Sequence, residues 1–255
     1  GGIDDYGPLA DTLHGAGALL CVATDLLALT LLKPPGEFGA DVVIGNSQRF
    51  GVPLGYGGPH AAFMATMDAH RRSLPGRIIG ISKDVEGKPA LRMALQTREQ
   101  HIRRQKATSN ICTAQVLLAV VAGFYAVWHG PEGLLQIARR INGQANRLAR
   151  AAQAAGLTVV RDGYFDTLQL RAASGVARDE LVARALASGI NFRSHGDRGL
   201  IIALDERVTE RDLDEIAAAL RARLIKGAAP EADAPSSIPD GLERTSEFMT
   251  HSTFH

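Results

Sequence analysis

The chain has 255 residues, 45% of them hydrophobic, and its 28 lysines and arginines against 27 aspartates and glutamates leave a formal charge of +1. That length and apolar content support the core of one large or two modest domains, and so even a charge gives no general attraction for nucleic acid or an anionic membrane. No apolar run reaches membrane-spanning length, since 116–128 is short and interrupted by Gly123, and the two cysteines, Cys21 and Cys112, form no CxxC pair and are expected as buried thiols of a reducing compartment such as the bacterial cytoplasm.

In chain order, the apolar run 18–24 (ALLCVAT) suits a buried strand. A helical pattern over Leu26 to Leu32, stopped by Pro34 and Pro35, then leads to a second strand over Asp41 to Asn46. Strand, helix, strand implies a parallel crossover. After a glycine-rich loop, 61–67 (AAFMATM) reads as a strand, and 77–95 reads as a hairpin turning at Asp84 to Lys88. Thr97 is placed to start a helix, with Glu99 in its first turn where the helix dipole favours a carboxylate.

A second region opens with two long helical patterns, Thr113 to His129 and Pro131 to Ala155, broken at Gly130. Strands at 157–161 and 166–172 follow, then a helix over Arg178 to Ser188 and a hairpin near Asn191 to Leu204. A last helix runs from Thr209 to Leu224, with Thr209, Glu210 and Asp212 as capping chemistry. The fold class expected is α/β: a partial large domain over 1–130, a small α+β domain over 131–228, and a polar, proline-containing linker and tail over 229–255.

The segment 40–59, ADVVIGNSQRFGVPLGYGGP, combines a buried strand, a polar turn with Gln48 and Arg49, and a glycine stretch. One large class of pyridoxal phosphate enzymes places its Schiff-base lysine in that setting, and here there is none. Arginine is no substitute, because its guanidinium stays charged and supplies no free amine. With PGRIIGISKDVEGKPALRMALQTREQHIRRQKATSNICTAQ and HGPEGL, this segment closely resembles the glycine decarboxylase P-protein family, specifically its N-terminal half. The resemblance runs along essentially the whole chain.

It implies a fold-type-I pyridoxal phosphate-dependent architecture and a partner, the C-terminal catalytic half, which carries the cofactor lysine as a fused or separate polypeptide. It further implies that the intact protein decarboxylates glycine with pyridoxal phosphate and passes the aminomethyl group to the lipoyl arm of the H-protein. On that footing the chain is a fragment, inactive alone, that holds no covalent cofactor and is prone to self-association. A eukaryotic version would be mitochondrial.

Each candidate site has a plainer competitor. The loop with Tyr56 and His60 matches neither a Walker A nor a GxGxxG pattern and leads into a strand, so its glycines are read as turn-formers, or Tyr56 and His60 as contacts to the catalytic half. Asp25 is read as a helix cap, with the cofactor-nitrogen position falling earlier, among Val22 to Thr24. Arg98, His101, Arg103 and Arg104 are either a solvated face with local ion pairs or an arginine-rich brace near the active site. His251 with His255 lacks a third metal ligand, and Ser194, His195 and Asp197 suit a hairpin turn better than a triad. Two further classes stay open: an independent pyridoxal enzyme using Lys33, Lys83, Lys88, Lys106 or Lys226, and a non-enzymatic scaffold that binds its partner half.

Overall fold

The structure, a computed structural model, describes residues 2–76, 78–95, 100–107, 115–224 and 237–255. Helix α1 (Gly7–Gly15) starts with Pro8 in its first turn and buries Ala10 against Leu20 and Ala40. Asp41 ties it down: its carboxylate accepts from the Leu20 amide at 2.8 Å and meets His14 Nε2 at 2.9 Å. Strands β1 (Cys21–Asp25) and β2 (Val42–Asn46) pair in parallel, from Cys21 with Val42 to Asp25 with Asn46. Strand β3 (Ala62–Thr66) adds antiparallel to β2.

The link from β1 to β2 departs from expectation. In place of a helix over Leu26 to Leu32 there are two short 3-10 segments, Ala28–Thr30 and Pro35–Phe38. The competing partner is remote in sequence: the Lys33 amide donates to the Leu242 carbonyl, and the Arg244 amide to the Leu31 carbonyl, each at 2.7 Å. Backbone groups that would have extended a helix are thus taken by a strand-like bridge between Leu32 and Glu243.

Strands β4 (Ile78–Lys83) and β5 (Pro89–Leu95) form the expected hairpin. The Asp84 carboxylate accepts from the Glu86 and Lys88 amides, which fixes the turn. The helix expected from Thr97 is short where described: α2 (Gln100–Arg103) passes into a 3-10 turn at Arg104–Lys106, with Arg104 at a φ of 51°. Thr97, Arg98, Glu99 and Cys112 lie outside the described residues.

The two long helical patterns join as α3 (Val116–Ala154), bent at Gly130, whose φ of 61° and ψ of −179° are not helical. A four-stranded antiparallel sheet follows, in the order β6 (Thr158–Val159), β7 (Thr167–Arg171), β9 (Gly199–Ala203), β8 (Arg193–His195). His195 faces Gly199 across the β8–β9 hairpin, so Ser194, His195 and Asp197 belong to a turn and its flank. Helix α4 (Gly175–Ala187) is capped by the Ser174 hydroxyl, and α5 (Glu210–Ala219) by a Thr209–Asp212 capping box.

The main core lies under α3. Leu134, Ala138, Ile141, Ala145 and Leu148 recur at alternating spacings of four and three, and all are fully buried against Leu168, Leu170, Leu200 and Leu213. Leu27 and Ala28 join the same cluster, which welds the β1–β2 link to the antiparallel sheet.

Within the stretch expected to be linker and tail, residues 237–255 are docked. Asn142 Nδ2 donates to the Tyr164 and Phe165 carbonyls and to Ser237 Oγ, and Arg244 Nη1 reaches the Leu29 carbonyl at 2.8 Å. The expectation of a buried Cys21 is corrected: its side chain is exposed. The register row Ala23, Ile44 and Met64 is exposed as well, so among the described residues one face of the β1–β2–β3 sheet is uncovered. Among the described residues no helix is long and apolar enough to cross a membrane.

Candidate functional site

Asp25 ends β1 and Arg49 follows β2 by three residues, so both stand at the carboxyl ends of adjacent parallel strands. Open α/β sheets bind their ligands at such ends. The turn that carries Arg49 is built locally: Asn46 Oδ1 accepts from the Gln48 amide at 2.7 Å, and Gln48 Nε2 donates to the Pro53 carbonyl at 3.3 Å. Gly51, at a φ of 75°, completes it, and a Cβ there would lie 2.7 Å from the Tyr125 ring.

Arg49 spans the gap between the two sheets. Its Nε meets Asp25 Oδ2 at 2.9 Å, while Nη2 is paired with Asp166, the residue just before β7. The Asp166 side chain is only 6% exposed, and the guanidinium also lies over the Phe165 ring, 5.7 Å from its centroid. Asp25 has a second task, accepting from the Leu27 amide at 2.8 Å. The helix it was expected to cap is replaced by 3-10 segments, so its carboxylate instead fixes the turn after β1 and pairs with Arg49.

Beside this triad is an open cleft of about 570 Å³, lined by Leu27, Gln48, Arg49, Val52, Leu204 and Arg207 among others. An aromatic stack adjoins Glu206, which lines the cleft. Phe50 stacks on Tyr125 at 5.7 Å, the His129 ring lies 4.3 Å from Tyr125, and the Tyr125 hydroxyl donates to the Glu206 carboxylate. Burial, helped by that carboxylate, pushes the Tyr125 phenol far above its ordinary range, so it acts as a neutral donor.

Of the expected site residues, the structure brings Gln48 and Arg49 together at the cleft. Tyr56, at a φ of 55°, and His60 are exposed on the glycine loop, and His101, Arg103 and Arg104 are exposed on α2 and the turn after it. None of these five lines the cleft. Arg98 lies outside the described residues. Asp166, Tyr125 and Glu206 carry no signal in the sequence, where each is a lone residue with no local motif.

A guanidinium held by two carboxylates can fix geometry and balance charge, but it offers no amine for a carbonyl. Among the described residues no lysine lines the cleft: Lys33 lies in the β1–β2 link, Lys83 ends β4, Lys88 sits in the hairpin turn, and Lys106 follows α2, with Lys226 outside the described residues. The glycine loop runs into β3, so it presents no helix N-terminus to a phosphate. These residues do not fit covalently bound pyridoxal phosphate.

A family model described as glycine cleavage system P-protein matches residues 1–220. The chain is 56% identical over 255 residues to the glycine dehydrogenase (decarboxylating) of Stenotrophomonas maltophilia strain K279a, covering 100% of this chain and 26% of that protein. It is 52% identical over 262 residues to the protein of the same name from Bordetella avium strain 197N, of which it covers 27%. The chain thus spans about a quarter of the length of these curated relatives.

Among solved structures it is similar to glycine decarboxylase (P-protein) of the glycine cleavage system in inhibitor-bound form. That match has a TM-score of 0.78 and 36% identity over 86% of this chain and 51% of that one. The Oryza sativa TDC with PLP and tryptamine shares the fold alone, with a TM-score of 0.59 and 13% identity over 86% of this chain and 44% of that one.

Proposed function

This chain belongs to the glycine cleavage system P-protein family, and on that premise we propose that it is part of the family's N-terminal half, a structural element that supports a catalytic half without holding the cofactor itself. The observation that carries the reading is Arg49: where the fold would present a lysine amine, a guanidinium is paired with Asp25 and Asp166. In the whole protein, pyridoxal phosphate would supply an electron sink for glycine decarboxylation, and the aminomethyl group would pass to the lipoyl arm of the H-protein. This chain's residues perform none of those steps. They hold two sheets in register around the cleft and present surface to the partner half, in a bacterial cytoplasm or, in a eukaryote, a mitochondrion.

Reduction with borohydride after addition of pyridoxal phosphate tests this directly. The purified chain is expected to gain no stoichiometric adduct and to show no glycine-dependent carbon dioxide exchange. A full-occupancy adduct on one mapped lysine would overturn the reading in favour of an independent pyridoxal enzyme.

A further inference from the structure

The cleft beside Arg49 carries more polar chemistry than the joining of two sheets requires. Besides Gln48 and Arg49 it is lined by Asp205, Glu206 and Arg207, from the turn that follows β9. Arg207 is exposed, and among the described residues its guanidinium has no hydrogen-bond or ion-pair partner, although its amide is fixed by Asp205 Oδ1 at 2.8 Å. Arg49 Nη1 is also without a hydrogen-bond partner, while Nε and Nη2 serve Asp25 and Asp166. Donors left over at the mouth of a cleft are groups that a bound molecule completes.

Acceptors are left over in the same place. Glu206 gives Oε2 to the Tyr125 hydroxyl and Asp205 gives Oδ1 to the Arg207 amide, so among the described residues Glu206 Oε1 and Asp205 Oδ2 remain free. Both signs of charge thus stand within the consecutive residues Asp205, Glu206 and Arg207. A simple anion that reaches Arg207 meets two carboxylates beside it, and a simple cation that reaches those carboxylates meets Arg207. A ligand with an anionic and a cationic group on neighbouring atoms satisfies each with its opposite.

The remaining lining is aliphatic, with Leu27, Val52 and Leu204 beside the charged turn, and the volume of about 570 Å³ is that of a small-molecule site. We propose that this cleft binds, without covalent attachment or turnover, a free amino acid with an aliphatic side chain. Its carboxylate pairs with Arg207, its ammonium with Glu206 and Asp205, and its side chain lies against Leu27, Val52 and Leu204. Glycine, having no side chain, leaves that wall without a partner, and burying a leucine-sized group there is worth about tenfold or more in affinity. The site needs no partner half, so it goes beyond the functional reading above and stands independently of it.

Four probes separate the contributions in an NMR titration of the purified chain read on the ligand resonances: L-leucine, glycine, 4-methylpentanoate and 3-methylbutylamine. The last three lack the side chain, the ammonium and the carboxylate of leucine in turn. Leucine is expected to bind saturably, and each of the others more weakly by about tenfold or more. Arg207→Gln removes no contact within the chain and should abolish the advantage of leucine over 3-methylbutylamine. Glu206→Gln keeps an acceptor for Tyr125 and should narrow the advantage over 4-methylpentanoate. Circular dichroism checks that both variants fold.

Absence of saturable leucine binding would overturn the proposal. So would leucine binding that Arg207→Gln leaves unchanged, since the ligand would then sit elsewhere on the chain. Glycine binding as tightly as leucine would overturn the aliphatic ligand class, and 4-methylpentanoate doing so would overturn the zwitterionic one. None of these outcomes bears on whether the chain takes up pyridoxal phosphate, which the borohydride experiment reads separately.

Discussion

Arg49 neutralises a carboxylate that has almost no access to water, so its removal strands Asp166 rather than merely deleting a surface pair. Breaking a fully buried pair costs roughly 3–5 kcal/mol, and because Arg49 and Asp25 keep partial solvent contact we expect Arg49→Ala to cost nearer to about 2 kcal/mol in urea unfolding. Asp25→Asn keeps an acceptor for the Leu27 amide and should stay within about 1 kcal/mol of the parent. Three other carboxyls contribute to the acid limb. The His14 hydrogen bond and then the Leu20 amide hold Asp41 below the usual carboxylate range, the Arg147 guanidinium does so for Glu210, and the Thr209 amide and hydroxyl do so for Asp212. A depressed native value means stability that is present above the unfolded value, near about 4, and lost as pH falls through the native one. The unfolding midpoint should therefore stay level from neutral pH to about 5 and drop below about 4, with Asp212→Asn flattening part of that drop.

At the scale of elements, the kink in α3 and the abandoned helix after β1 show what local signals can and cannot carry. Gly130 and Pro131 announce a break in any context, and the structure puts Gly130 at a φ of 61° where a Cβ would sit 2.9 Å from the Phe254 carbonyl. Gly130→Ala should cost about 1–3 kcal/mol from backbone strain and contact together, measured as a fall in thermal midpoint with secondary structure retained. The α5 capping box and the Asp84 turn were equally readable, since each is closed by residues within four positions of one another. The segment Leu26 to Leu32 was not, because Leu31 and the following Lys33 pair with Arg244 and Leu242, and no window around it contains them.

For the whole molecule, the docked segment 237–255 acts as a strap across the β1–β2 link and the α3 kink. Ending the chain at 236 should expose the Lys33 amide to hydrogen exchange by removing its Leu242 acceptor, while the amides of β7 stay protected by their pairing with β9. The same tertiary logic makes Asp166 a site residue and leaves Cys21 exposed. The first depends on a guanidinium far along the chain, and the second on a sheet face that no described residue covers. By itself the sequence determined the α/β class, most strands, the hairpin, the break at Gly130 and the absence of a lysine after β2. Periodicity, caps and side-chain chemistry are local or compositional properties, and they survive without a fold. Only the tertiary structure decided that Arg49 is clamped between Asp25 and Asp166, that the tail packs back, and that Arg207 meets Arg49 at one cleft, because burial and pairing are properties of what is brought together across the chain.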